Sequence, residues 1–179
     1  MELLQSLKAS SLKSLKRIEF RKKETLLHQG DVSKHAYVVQ EGCLRLWHNN
    51  DGTDITVQFF LPGEIVASLD SFIHATPSNF SIEAVTFTVV NAMDKASYDS
   101  LIDQSPEFGS FMFKGMVKRV ADYQNLFLNR IMENPENRYR HLIEQDPELF
   151  EIVPQHYIAS YLGVTPVSLS RIRKKVGKC

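Results

Sequence analysis

IASYLGVTPVSLSRIRKK, residues 158–175, is the stretch on which the reading of this chain turns. Ile158, Ala159 and Leu162 share one face of a helix that opens near Pro154, and Gly163 stands where helices end. Thr165-Pro166 supplies an N-cap and a first-turn proline for a second helix, with Leu169 and Ile172 turned inward. Helix, short glycine turn, basic helix is the helix-turn-helix arrangement, whose second helix is suited to the DNA major groove.

Charge supports that reading without deciding it. The chain holds 21 basic and 21 acidic residues, yet from Pro154 onward Arg171, Arg173, Lys174, Lys175 and Lys178 meet no acid. That end is therefore +5, and the 16 basic and 21 acidic residues elsewhere leave −5. A polyanionic partner fits such asymmetry, although a solvated helix end has the same charge. The spacing of Ala159, Gly163, Val164 and Leu169 is more specific and favours double-stranded DNA. The candidate contacts are Thr165, Val167, Ser168, Ser170, Arg171, Arg173, Lys174 and Lys175. The cations supply affinity by counterion release, whereas Ser168 and Arg171 can hydrogen-bond base edges.

Toward the N-terminus, Ser105-Pro106-Glu107 provides a cap, a first-turn proline and an acid at the positive end of a helix dipole. The helix it opens runs uninterrupted to Glu133. Along it Phe113, Val117, Val120, Gln124, Phe127 and Ile131 alternate at spacings of four and three, the seam of a coiled coil. Phe108, Met112, Met116 and Tyr123 form a second line. Either both lines are buried in the chain's own core, or, as favoured here, the second packs on the preceding domain and the seam pairs with a second copy. Gln124 then fixes the register across a two-fold axis. After Pro135, ENRYRHLIEQ forms a further helix that Asp146-Pro147 interrupts.

Between Ile18 and Met93 the pattern is of short β-type runs separated by Gly30, Gly42, Gly52 and Gly63, the signature of an antiparallel barrel, roll or sandwich with strands of six or seven residues. Before it, Leu3, Leu4, Leu7, Leu12 and Leu15 predict a short amphipathic helix over residues 2–16.

Composition excludes several classes. At 43% hydrophobic and 23% charged, the 179 residues suit a folded chain of one or two domains. The sequence has neither an apolar run long enough to span a bilayer nor the apolar core of a secretory signal, so no membrane partner and a cytoplasmic location are expected. Cys43 and Cys179 are too few for a disulfide framework, a zinc site or an iron–sulfur cluster. A cupin-type enzyme needs a His-x-His pair, which is absent, as are the Gly-x-Ser-x-Gly, His-Glu-x-x-His and phosphate-loop motifs. No catalytic residue, metal ligand or cofactor is assigned. A scaffold whose helical tail meets another protein remains the competing class.

In this order the features resemble the Crp/Fnr family of bacterial transcription regulators, through LLHQGDVSKHAYVVQEGCLRL (26–46), FFLPGEIVAS (59–68) and IASYLGVTPVSLSRIRK (158–174). The resemblance implies an α+β chain: a β-roll sensor related to cyclic-nucleotide-binding modules over 1–104, a long dimerisation helix over 105–133, and an all-α helix-turn-helix domain over 134–179. It also implies a homodimer, a small-molecule effector of unknown identity, and RNA polymerase as a further partner. Gly63-Glu64 matches the start of the family's phosphate cassette, but Ser78 and Asn79 stand where cyclic-nucleotide binders carry an arginine and its neighbour. Gly63, Glu64, Ser78 and Asn79 are thus the candidate effector pocket, and cyclic AMP is not the expected ligand because the bidentate cation is missing. The cysteines do not make the iron–sulfur site of other members, and His28, His35, His48 and His74 point to no haem site. Ser170-Arg171 matches the recognition helix, whereas Pro166 and Val167 replace its early polar pair, so a different operator is expected. The hairpin wing that often follows that helix is expected to be missing or vestigial.

Overall fold

Strand alternation sorts the side chains into layers. The computed structural model describes residues 15–177, so Leu3 to Leu12 of the expected N-terminal helix, with Lys178 and Cys179, lie outside the described residues. Lys16, expected to close that helix, instead opens strand β1 (Lys16–Phe20). There follow β2 (Thr25–Leu27), β3 (His35–Glu41), β4 (Leu44–Asn50), β5 (Thr53–Phe60), β6 (Ile65–Val66), β7 (Ser81–Ala84) and β8 (Thr88–Asp94). They form two antiparallel sheets in the orders β1-β8-β3-β6 and β2-β7-β4-β5. Several strands are shorter than expected, because the glycine turns set where strands end and tertiary pairing sets how much of each run joins a ladder.

Tyr37, Val39, Val90 and Ala92 of the first sheet meet Leu44, Leu46, Phe60 and Ile82 of the second in the inter-sheet core. Ala36 and Met93, one position out of phase, point the other way and are covered by helices α1 (Leu69–His74), α2 (Lys95–Gln104) and α3 (Pro106–Met132). The central strands are buried on both faces, so they read as continuous apolar runs. The two short helices α1 and α2 were not read from the sequence; Asp94 caps the second by accepting from the Ser97 amide.

The long helix begins as expected, with Ser105 Oγ accepting from the Phe108 amide and Pro106 in the first turn. Two residues after its end, Asn134 caps α4 (Pro135–Gln145), followed by α5 (Leu149–Ile152), α6 (Gln155–Leu162) and α7 (Pro166–Val176). These C-terminal helices share a core of Tyr139, Leu142, Leu149, Ile158, Ala159, Leu162 and Leu169. Phe59 of β5 joins the same core, although its neighbour Phe60 faces the inter-sheet core, so the helices cover the outer face of the second sheet. Among the described residues no helix is long and apolar enough to cross a membrane.

Candidate nucleic-acid interface and effector cavity

Helices α6 and α7 meet through Ile158, Ala159, Leu162 and Leu169, all buried, around a turn in which Gly163 adopts φ +67°. Thr165 Oγ1 accepts from the Ser168 amide at 3.1 Å and caps α7. With Leu169 buried and Ile172 and Val176 packed inward, Val167, Ser170, Arg171 and Lys174 share the opposite, exposed face at helical spacing. Thr165 and Arg173 are exposed at its edges, and Ser168 is half-buried. Lys175 is exposed too, but its Nζ donates to Glu136 on α4, and that bond, with one from Arg140, holds the Glu136 carboxyl below its usual range. Among the described residues of α7, the exposed cations other than Lys175 are thus Arg171, Arg173 and Lys174.

The long helix divides its two lines as favoured above, with one exception. Phe108 is buried, and Phe111 and Met112 pack beneath it on α1 and α2; Tyr123 donates its hydroxyl to Gln58 Oε1 at 3.0 Å. Met116, expected in that line, is instead exposed and borders a cavity. Phe113, Val117, Val120, Gln124, Phe127 and Ile131 all face solvent, Phe113 at 71% and Ile131 at 67% exposure. Burial of the seam in the chain's own core is thereby ruled out.

That cavity, of about 410 Å³, lies between the β5–β6 turn and α3, lined on the apolar side by Phe60, Ile65, Leu69, Phe111 and Met112. Gly63 and Glu64 border it as the sequence predicts; Ser78 does not. The Ser78 hydroxyl is buried and bonded to Ser68 Oγ and the Phe80 carbonyl, and Asn79 borders a smaller neighbouring recess of about 160 Å³. Glu64 Oε2 accepts from the Leu61 amide at 2.8 Å and so closes its own turn. The residue missed in the sequence is Arg119. It reaches from α3 into both recesses, donates to the Ile65 carbonyl at 2.7 Å and lies 5.1 Å from the Phe60 ring centroid. Burial lowers its pKa, with Tyr123 and Glu64 acting in the opposite direction. Only its periodicity on the cavity-facing side of α3, in line with Met112 and Tyr123, could have signalled it. Arg45, the cation nearer in sequence, lies elsewhere, on the outer face of the second sheet. Among the described residues no cluster of three His, Cys, Asp or Glu side chains could hold a metal ion.

A β-roll of two antiparallel sheets is thus closed by a long helix and joined to a helix-turn-helix. Residues 17–105 match the cyclic nucleotide-binding domain family. Over 99% of its length the chain superposes on 84% of a mutant of CooA from Carboxydothermus hydrogenoformans, with a TM-score of 0.80 at 18% identity. FixK2 from Bradyrhizobium japonicum matches 92% of this chain with 85% of its own, at a TM-score of 0.79 and 18% identity. The c-di-GMP responsive global regulator CLP of Xanthomonas campestris gives 0.74 at 17% identity, covering 96% of this chain and 92% of that one. No curated protein matches at the sequence level. The chain thus has the fold of these Crp/Fnr regulators, with the cyclic nucleotide-binding domain match confined to its β-roll with α1 and α2, up to the Ser105 cap of α3.

Proposed function

We propose that the protein is a non-enzymatic, homodimeric transcription regulator of the Crp/Fnr type, acting in the cytoplasm and placing α7 of each subunit in successive major grooves of a two-fold-related operator. The observation that carries the reading is the free face of α7, where Ser170, Arg171 and Lys174 are exposed with Arg173 beside them while Leu169, Ile172 and Val176 pack inward. The solvent-facing seam of α3 supports the dimer. Binding to duplexes drawn from the protein's own promoter region, measured against salt, tests it. Arg173→Ala is expected to weaken all sequences alike and lower the salt slope by about 1, whereas Arg171→Ala also relaxes discrimination by ~1–3 kcal/mol at one base pair. Wild-type affinity and slope in both variants would refute this docking. RNA polymerase is the partner expected next to the bound operator.

The effector of this reading occupies the cavity beside Arg119 and is not cyclic AMP. Ser78 is committed to Ser68 and Phe80, and Arg119, a half-buried cation at the cavity, is bonded to the Ile65 carbonyl instead of rising from the cassette. Neutral donors are about half as strong as charge-assisted ones, so a cyclic phosphate held by the cassette alone loses several kcal/mol, or roughly three decades of affinity. Calorimetry at micromolar cyclic AMP or cyclic GMP is expected to show no binding. Saturable binding that disappears in Arg119→Met would show that the guanidinium turns to take the phosphate.

A further inference from the structure

Strand alternation puts Leu44 and Leu46 in the inter-sheet core and leaves Arg45 on the outer face of its sheet, where a cation normally meets water. Arg45 is 1% exposed. Helix α6 covers it: the guanidinium carbon lies 3.7 Å from the ring centroid of Tyr157 and 4.7 Å from that of Trp47. Its nitrogens pair with Asp54 Oδ2 at 3.0 Å and with Glu83 at 3.4 Å, and Tyr157 donates its hydroxyl to Glu83 Oε1 at 2.9 Å. One turn on, Ser160 Oγ accepts from the Thr56 amide at 2.8 Å and donates to the Asp54 carbonyl. At its other end α6 is held by α3 and α4. Its terminal carbonyls, which have no partner within the helix, accept from Arg130 at Tyr161 and from Arg138 at Leu162, and Arg138 also donates to the Glu133 carbonyl between the two long-range anchors.

We infer that Arg45, Glu83 and Tyr157 are positioning residues for DNA recognition: they lock the first helix of the helix-turn-helix onto the β-roll of the same subunit, and the locked arrangement is the DNA-binding one. This rests on the DNA-binding reading above. Docking uses Tyr157 and Ser160 of α6, while Val167, Ser170, Arg171 and Lys174 of α7 stay open, so the contact covers none of the residues offered to DNA. Undocking exposes the buried Arg45 and Glu83, and Tyr157 meets both of them, its ring against the guanidinium and its hydroxyl on the carboxylate. A cation–ring contact excluded from water is among the stronger of its kind.

The test uses full-length Tyr157→Phe, which keeps the ring and removes the bond to Glu83. The Thr56 amide, whose acceptor is Ser160, reports docking without DNA: its hydrogen exchange is expected to be about ten-fold faster, the loss of one hydrogen bond to a charged group, with exchange of the Val39 amide in the inter-sheet core unchanged. Operator affinity is expected to fall by a similar factor. Unchanged exchange at Thr56 overturns the lock, and tighter operator binding overturns the assignment of the docked state as the DNA-binding one. Ser160→Ala, a single hydroxyl removed at a half-buried position, gives the affinity reading again should Tyr157→Phe disturb the β-roll. If the wild-type protein binds no operator, the DNA-binding reading fails while exchange at Thr56 still decides whether the lock exists.

Discussion

Val120→Glu is expected to yield a monomer that has lost operator binding by at least about 100-fold while its β-roll stays folded. Within one subunit Val120 faces solvent, so the carboxylate costs the isolated chain little. Across a two-fold axis the same position brings two like charges into the middle of the Phe113–Ile131 seam, and the effective penalty is several kcal/mol for each buried ion. Full burial of the seam's five large apolar side chains contributes ~1.5–3 kcal/mol apiece, so one disrupted centre removes a large part of the association energy. Two half-site contacts then bind independently, which is the origin of the fall in affinity. Sedimentation decides the matter: an intact dimer of this variant would mean that the seam is not the interface.

Gly42→Ala is expected to be the most damaging single methyl group in the β-roll. Gly42 joins β3 to β4 at φ +85°, and a Cβ built there stands 2.2 Å from the Phe87 carbonyl oxygen, 2.7 Å from Thr88 Oγ1 and 2.8 Å from Thr86 Oγ1. Those hydroxyls are not free to retreat, since both accept from the Cys43 amide. Left-handed strain and overpacking together cost roughly 3–5 kcal/mol, which lowers the melting temperature by about 10–15 °C in a chain of this size. Gly52→Ala is the control. It has a similar φ of +86° but nothing within 4 Å of the new methyl, so it carries the strain without the clash. Equal melting temperatures for the two variants would show that the β7–β8 loop yields.

What could be read in advance was what neighbouring residues determine. Gly163, Thr165 and Pro166 mark the ends of α6 and α7 because capping and left-handed turns are settled within four or five residues, and the seam of α3 is visible because a helix repeats. The strand that carries Arg45 is equally local, and its alternation gives the correct inward pair Leu44 and Leu46. The burial of Arg45 is not local: it follows from a helix more than a hundred residues later covering that face. Arg119 escaped for the same reason, since a cassette defined by contiguous residues gives no hint that its cation comes from the long helix. Met116 shows the reverse failure, where regular spacing predicts packing at a position that borders an open cavity.

The position of α6 against both the second sheet and the end of α3 has a mechanical consequence. Roll, rod and recognition domain form a triangle, and each corner is fastened by arginine: Arg119 joins roll to rod, Arg130 joins rod to α6 with Arg138 of α4 bridging Glu133 and Leu162 beside it, and Arg45 joins α6 back to the roll. A triangulated frame resists shear in a way that two bodies on a single hinge do not. In the function proposed above, a molecule entering the cavity beside Arg119 would load one corner, and the other two fastenings are the route by which that load would reach the recognition helix.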